Sequence, residues 1–270
     1  MNLLYFFDNH LKPFVMKGTK LCNPAPTGVY AEGIRCIRQH DVNLWFYTKG
    51  ETTIAIDAGH YRVRGAGDFE RIGVDPQAIG HLFLTHADVD HAGGIDARAD
   101  NLYPQARVYL GRKEEPYITG KMHRFRRLGV KIKNCVRIRP GYRLLDDGEV
   151  VDAGGIEVRV IDTPGHTYGH VSYLIDHRIL FSGDCLAIKE DGGYSFPEFF
   201  NQDSELNKRS IRALEEALAG VPLKAVCSGH SGLWIGREDL HRHIFAHRTE
   251  SAPFSKKQPF DDRAPSDIRR

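Results

Sequence analysis

The sequence predicts an α+β protein in which two β-sheets pack face to face with helices on both outer surfaces, a four-layer αββα sandwich. Three observations lead there. Strand-like runs come first, strand–helix units follow, and the same order then repeats; sheets arranged this way cover one face with each other and the opposite face with helices. The 270 residues are enough for one large buried core. The hydrophobic fraction of 41% and charged fraction of 27% are those of an ordinary globular chain.

The elements follow in order. Residues 28–30, 34–37, 43–47 and 52–56 read as strands, rich in β-branched and aromatic residues. Thr48-Lys49-Gly50-Glu51 supplies the turn of a hairpin between the last two. A further strand is expected at 81–85, then a helix starting near Gly93-Gly94, a strand at 108–110 and a short helix at 112–119. The basic stretch from Lys121 to Arg143 reads as a solvated face, with an anion patch as the alternative. Strands return at 157–161, 170–176 and 178–182. Residues 203–219 carry a helical pattern: Asp203 or Ser204 as the cap, Ile211, Leu214, Ala217 and Leu218 on one side, then Gly220 and Pro222 as the stop. Residues 221–228 read as the last buried strand.

One domain is expected over residues 28–251, with residues 1–27 an amphipathic arm packed on it. Residues 252–270, rich in Pro, Ser and charge, read as an irregular tail. The N-terminus has no basic region ahead of its apolar start, and Asp8, His10 and Lys12 interrupt it, so neither a signal peptide nor a membrane span is expected. The five cysteines are odd in number and form no C-x-x-C pair. That argues against a disulfide framework and suits a reducing, cytoplasmic location. A net charge of +2 gives no global pull toward nucleic acid or an anionic membrane. A small-molecule substrate is the expected partner, with assembly as a homodimer left open.

The fourteen histidines fall in informative places. Residues 85–91 read T-H-A-D-V-D-H, directly after the apolar run 81–84 and before Gly93-Gly94. Three later segments repeat the arrangement. Asp162-Thr163-Pro164-Gly165-His166-Thr167, Ser182-Gly183-Asp184-Cys185 and Ser228-Gly229-His230 each set a His or Asp just past an apolar strand, beside a glycine that lets the backbone turn. Strand ends that converge on one rim make a rigid base for ligands carried on loops. Neutral imidazole and carboxylate suit zinc, iron and manganese. The candidate ligands are His86, Asp88, Asp90, His91, His166, Asp184 and His230.

The order H-x-D-x-D-H, P-G-H-T, S-G-D and a late G-H resembles the metallo-β-lactamase superfamily over roughly residues 28–235. The resemblance implies the αββα fold reached above and two divalent metal ions, zinc favoured, with iron or manganese as alternatives. It implies that His86, Asp88 and His166 hold the first ion and that Asp90, His91 and His230 hold the second. Asp184 would bridge them together with a water or hydroxide. Asp57, in Ile56-Asp57-Ala58-Gly59, matches a position that often braces the site. Many members carry His where this chain has Asp88. Members that reduce oxygen or nitric oxide at a di-iron centre carry a carboxylate there.

Two adjacent ions acidify a bridging water, polarise a substrate oxygen and stabilise the developing oxyanion. With Asp90 orienting the hydroxide or taking its proton, that suffices to hydrolyse an ester, lactone, thioester or phosphate-type bond. A non-haem di-iron redox enzyme and a non-catalytic metal-binding module are the alternatives. Cys185 and Cys227 read as small buried residues. Candidate substrate walls are residues 60–74, 112–127 and 186–203, with Tyr168 and Tyr194 as candidate oxyanion donors. Ala187 stands where some lactonases place a tyrosine, which does not support a lactonase assignment.

Overall fold

The structure is a computed structural model and describes residues 22–60, 66–98, 100–127, 130–132 and 136–253. The first sheet contains β1 (Gly28–Val29), β2 (Ile34–Gln39), β3 (Val42–Lys49), β4 (Thr52–Ile56), β5 (His81–Leu84) and β6 (Arg107–Gly111). A small hairpin of β7 (Phe125–Arg127) and β8 (Val130–Ile132) separates these from β9 (Arg143–Leu145), which closes the sheet beside β6. Pairing is antiparallel from β1 to β4 and parallel from β4 through β5 and β6 to β9. The second sheet holds β10 (Val150–Asp152), β11 (Glu157–Asp162), β12 (Val171–Ile175) and β13 (Ile179–Gly183). After the hairpin β14 (Leu186–Lys189) and β15 (Gly192–Ser195), it gains β16 (Ala225–Ser228) and β17 (Leu233–Ile235). β16 pairs parallel with β13.

Successive side chains of a strand point to opposite faces, and the apolar runs divide accordingly. On β3, Trp45 and Tyr47 enter the core between the sheets, while Leu44 and Phe46 pack on the outer face. On β13, Ile179 and Phe181 go inward and Leu180 outward. Because both faces are covered, the central strands read as nearly unbroken hydrophobic runs. The outer face of the first sheet lies under Phe69 and Ile72 of the helix Ala66–Ile72. That of the second lies under Ile211 and Leu214 of the helix Ser204–Ala217. These are the four layers that the sequence predicts. Each large core side chain so buried contributes about 1.5–3 kcal/mol.

Two polar tips cross the inter-sheet core. Trp45 Nε1 donates to the Ser228 carbonyl at 3.0 Å, and Tyr173 Oη to that of Leu84 at 2.7 Å. Both join strand ends that lead into the candidate site. The helix Ser204–Ala217 starts where Asp203 accepts from the Leu206 amide at 2.8 Å and stops before Gly220 at φ +79°.

Several expectations are corrected. The α-helix of the first motif begins inside the motif, as Val89–Ala92, and only a single 3-10 turn, Gly93–Ile95, starts where the helix was expected. Asp88 has extended φ/ψ at the cap position, and its carbonyl already accepts from the His91 and Ala92 amides. Gly94 instead permits a close approach, since a Cβ there would lie 2.2 Å from the Ala58 carbonyl oxygen. β16 is not the last strand: β17 follows it in the sheet, and β18 (His247–Ser251) pairs with β15 in a small third sheet. Of the N-terminal arm, residues 22–27 are described. Ala25 is in the core, and the Asn23 amide donates to the His230 carbonyl at 2.8 Å. The rest of the arm, Cys135 and the tail from 254 lie outside the described residues. Among the described residues no helix is long and apolar enough to cross a membrane.

Candidate metal centre

β4, β5, β11, β13 and β16 each run directly into a loop that carries a residue of the site. His86, Asp90, His91, His166, Asp184 and His230 are all buried there. Two groups share the cluster, Asp90, His91 and His230 in one, and His86, His166 and Asp184 in the other; a third, Cys22, Asp41 and His230, lies on the Nδ1 side of His230.

In the first-named group the Nε2 atoms of His91 and His230 are 3.2 Å apart. Asp184 Oδ2 lies 3.4 and 3.2 Å from them, and Asp90 Oδ2 lies 3.4 Å from His230 Nε2. The opposite ring nitrogens are committed. His91 Nδ1 donates to Asp57 Oδ2 at 2.7 Å, and His230 Nδ1 donates to the Asp41 carbonyl at 2.5 Å. Each neutral imidazole has one N–H, so both Nε2 lone pairs converge on the carboxylates. Bonds of about 2.0–2.2 Å to a tetrahedral ion would set ligand atoms roughly 3.3–3.6 Å apart, close to the spacing seen. The group calls for positive charge at its centre. Burial alone would lower the His91 pKa, but Asp184 and Asp57 raise it to about 10, and Asp184 raises that of His230 well above the usual value.

The other group is less simple. His86 Nε2 and Asp184 Oδ1 are buried and make no hydrogen bond among the described residues. His166 Nε2 is 3.4 Å from Asp184 Oδ2. Asp88 reaches the group, with Oδ2 3.6 Å from His86 Nε2 and 3.4 Å from His166 Nε2. Its strongest partner, however, is a residue the sequence did not single out. Arg124 Nε donates to both Asp88 oxygens at 3.0 and 2.8 Å, and Nη2 donates to His166 Nε2 at 2.9 Å and to the Phe200 carbonyl at 2.7 Å. Burial would raise the Asp88 carboxyl, but the guanidinium, with His166 and His86, holds it well below the usual range. Burial and Arg124 lower His166 to about 4. The basic stretch is therefore not wholly a solvated face, since Arg124 is 3% exposed.

The supporting contacts are specific. Asp57, at φ +62°, accepts from the Thr85 amide and hydroxyl, both at 2.8 Å, as well as from His91. Asp162, at the end of β11, pairs with Lys113 at 2.5 Å. His170 is a further positioning residue. Its Nε2 accepts from the Asp184 amide at 3.0 Å, and Nδ1 meets the Thr163 hydroxyl at 2.8 Å. Burial and the neighbouring His86 keep His170 neutral. A histidine four residues after His166, at the entry to the next strand, was the signal available in the sequence. Glu114 accepts from the Ala87 amide at 3.0 Å and the Thr167 hydroxyl at 2.7 Å, joining the two ligand loops. Asn201 Oδ1 faces His166 Nδ1 at 3.3 Å. Gly229 must lack a side chain, because a Cβ would fall 2.2 Å from Asp184 Oδ1.

The two tyrosines separate. Tyr168 is 43% exposed beside His166, whereas Tyr194 is buried, bonds Asp191 at 2.8 Å and stacks on His247. Its hydroxyl thus has a partner away from the cluster. The wall at 186–203 contributes Phe196, whose ring stands edge-on to His166 at 5.0 Å and tilted to His230 at 5.7 Å. Phe199, at 57%, is exposed on the same segment. Cys185 and Cys227 are buried as expected; burial pushes the Cys185 thiol up to about 12. Ala187 is buried in β14.

Comparison with known proteins adds to this geometry. A hydroxyacylglutathione hydrolase of Aeromonas hydrophila is 28% identical over 149 residues, 54% of this chain and 47% of that protein. An N-acyl homoserine lactonase of a Bacillus species is 29% identical over 156 residues, 55% of each. A probable metallo-hydrolase of Bacillus subtilis is 27% identical over 236 residues, 74% of this chain and 84% of that one. The matched regions thus span about half the length of the first two relatives. Among solved structures, a metallo-beta-lactamase family protein of Thermus thermophilus superposes with a TM-score of 0.57 at 19% identity, covering 78% of this chain and 76% of that one. A B3 metallo-beta-lactamase with an active-site glutamic acid gives 0.56 at 18%, covering 83% and 87%. The family model of the metallo-beta-lactamase superfamily matches residues 37–230, most of the described domain, and the chain belongs to that superfamily.

Proposed function

We propose that the protein is a metal-dependent hydrolase that uses a dinuclear centre to cleave an acyl bond, with a thioester favoured over a lactone because Ala187 stands where some lactonases place a tyrosine. One observation carries the reading. His91 and His230 turn two Nε2 lone pairs toward each other at 3.2 Å, with Asp184 and Asp90 beside them and both Nδ1 protons donated elsewhere. Protein groups of that kind are stable together when they share a cation. Asp90, His91, His230 and Asp184 would hold one ion, and His86, His166 and Asp184 the other, with Asp88 at its edge. Zinc suits these nitrogen and oxygen donors, and iron or manganese fit the same set. The relatives named as a hydroxyacylglutathione hydrolase and a lactonase support the acyl bond class.

Bound divalent ions would make water acidic near neutral pH and polarise the scissile carbonyl. The chain's own groups do the rest. The Asp90 carboxylate orients the attacking water and takes its proton. The Nδ1 bonds of His91 and His230 fix both rings, so no reorientation is needed during the reaction. Phe196 covers the histidines on one side and limits water there, while the exposed Phe199 and Tyr168 offer an apolar edge to an acyl group. The test is elemental analysis of the purified protein followed by a panel of thioesters, lactones, simple esters and phosphodiesters. Hydrolysis of an acyl substrate that chelation abolishes and zinc or manganese restores is the expected result. A protein that binds no divalent metal, or hydrolyses none of the panel when loaded, sinks the proposal. Iron with visible absorbance and no hydrolysis would turn it toward redox chemistry.

A further inference from the structure

Among the described residues of the cluster, Arg124 carries a fixed charge that hydrolysis does not call for. It reaches the site from the segment between the helix Glu115–Ile118 and β7, and it is 3% exposed. Its guanidinium touches two of the groups that the first metal position would use, Asp88 through Nε and His166 through Nη2. The Phe200 carbonyl anchors the same Nη2 at 2.7 Å.

Three physical facts set the consequence. An imidazole Nε2 has one lone pair, and in His166 that pair accepts from Nη2; an ion and the guanidinium cannot both have it. The Asp88 oxygen nearest the two histidines, Oδ2, is also the one held at 2.8 Å by Arg124 Nε. Arginine does not lose its charge at accessible pH, so a divalent ion at this position would meet a fixed cation a few ångströms away, with little water to screen it. The position made by His91 and His230 differs, because both Nε2 lone pairs there face inward with their Nδ1 atoms already bonded.

We propose that Arg124 is an internal cation that competes with a metal ion for the first position, so that the two positions load unequally. The ion shared by Asp90, His91, His230 and Asp184 binds first and tightly. The position of His86, His166 and Asp184 fills only when Nη2 releases His166. This rests on the reading of the cluster as a metal centre. It also accounts for Asp88: a carboxylate there holds the guanidinium in place, which a histidine could not do by charge.

The test is to titrate the metal-free, full-length protein with zinc against a chromophoric chelator, and with cobalt(II), whose visible spectrum reports the ligand set. The wild type is expected to bind one equivalent tightly and the second at least roughly tenfold more weakly, the scale on which neighbouring groups tune metal affinity. Arg124→Gln is expected to tighten the second equivalent by about the same factor and leave the first unchanged. His230→Ala should remove the tight equivalent and keep the weak one. Two equally tight equivalents in the wild type would overturn the proposal. So would an Arg124→Gln protein that binds the second ion more weakly, because Arg124 would then be a support for the ligands. If Arg124→Gln does not fold by circular dichroism, the wild-type titration decides alone. Absence of any metal binding is a separate outcome, and it removes the metal reading itself.

Discussion

The Nε2 atoms of His91 and His230 face each other at 3.2 Å while Asp57 and the Asp41 carbonyl accept their Nδ1 protons. This pair makes the first prediction, that metal stabilises the fold. An ion present at about 100 times its dissociation constant contributes roughly 2.7 kcal/mol, and each kcal/mol moves Tm by about 2–4 °C in a chain of this size. Chelation should therefore lower Tm by roughly 5–10 °C on those figures, and zinc should restore it. The pH dependence has a definite sign. In the metal-free protein His91 is raised to about 10, so its proton stabilises the fold fully below the ordinary imidazole range, and that contribution is lost as pH rises through about 10. A metal must displace that proton, so binding at pH 8 should release protons into the buffer. Calorimetry in buffers of different ionisation enthalpy measures this, and zero release would contradict the shared-cation account.

The second prediction separates the two jobs of Asp57. Its Oδ1 serves the Thr85 amide, and its Oδ2 serves the Thr85 hydroxyl and His91 Nδ1. Asp57→Asn tolerates the left-handed backbone at φ +62° and keeps the amide bond. Its NH2 cannot accept from His91, so metal affinity should fall about 10–100-fold with a small change in stability. Asp57→Ala leaves buried donors without partners and should cost at least about 2 kcal/mol of unfolding free energy as well. Equal metal affinity in wild type and Asp57→Asn would show that the brace does not act on the ion.

These residues also show what was legible in the sequence. His86, Asp90 and His91 could be read from a dense motif directly after the apolar run 81–84, and His166, Asp184 and His230 from places just past an apolar strand beside a glycine; strand ends are fixed by the hydrophobic pattern. The sandwich was legible for the same reason, since runs such as Leu44-Trp45-Phe46-Tyr47 must bury both faces. Arg124 was not legible. It lies 36 residues from Asp88 in a basic stretch with no periodicity, and only the folded chain brings it to the ligand loop. The start of the short helix at Val89 was missed because glycine is a general signal of a boundary, whereas the turn here is set by Asp88 carbonyl bonds within the motif. Tyr194 was misjudged because nothing local tells which way a strand residue faces; on β15 its ring lies against His247 of β18.

The third prediction concerns Gly229. Its φ is not in the left-handed region, so backbone freedom is not what requires glycine here. The requirement is space: a Cβ would lie 2.2 Å from Asp184 Oδ1 and 2.8 Å from His91 Cε1. Gly229→Ala should push Asp184 and His91 apart and reduce metal stoichiometry, with the far-ultraviolet dichroism of the sheets unchanged. A fully loaded Gly229→Ala protein would mean that the Asp184 carboxylate can move away at no cost to binding.

The fourth prediction uses Glu114, which is 0% exposed and bonds the loops of His86 and His166 through Ala87 and Thr167. Burial, opposed by the Thr167 and Ala87 bonds, raises its carboxyl from the ordinary 4.5 to about 8. A raised acid keeps its proton in the folded state while the unfolded chain has lost it. Stability must then decline as pH rises from about 4.5 to about 8. At about 1.4 kcal/mol per unit, the decline is on the order of 5 kcal/mol across the window. Glu114→Gln removes the charge and keeps both links, since the amide oxygen can accept from Ala87 and the amide NH2 can donate to the Thr167 hydroxyl. Urea unfolding of the metal-free proteins at pH 5 and pH 8 checks this. The two should be nearly equal at pH 5, where the wild-type side chain is neutral, and Glu114→Gln should be the more stable at pH 8. If the difference between them is the same at both values, Glu114 is already ionised in the fold, and its carboxylate is held by a charge partner, for which Arg124 is the neighbour to test.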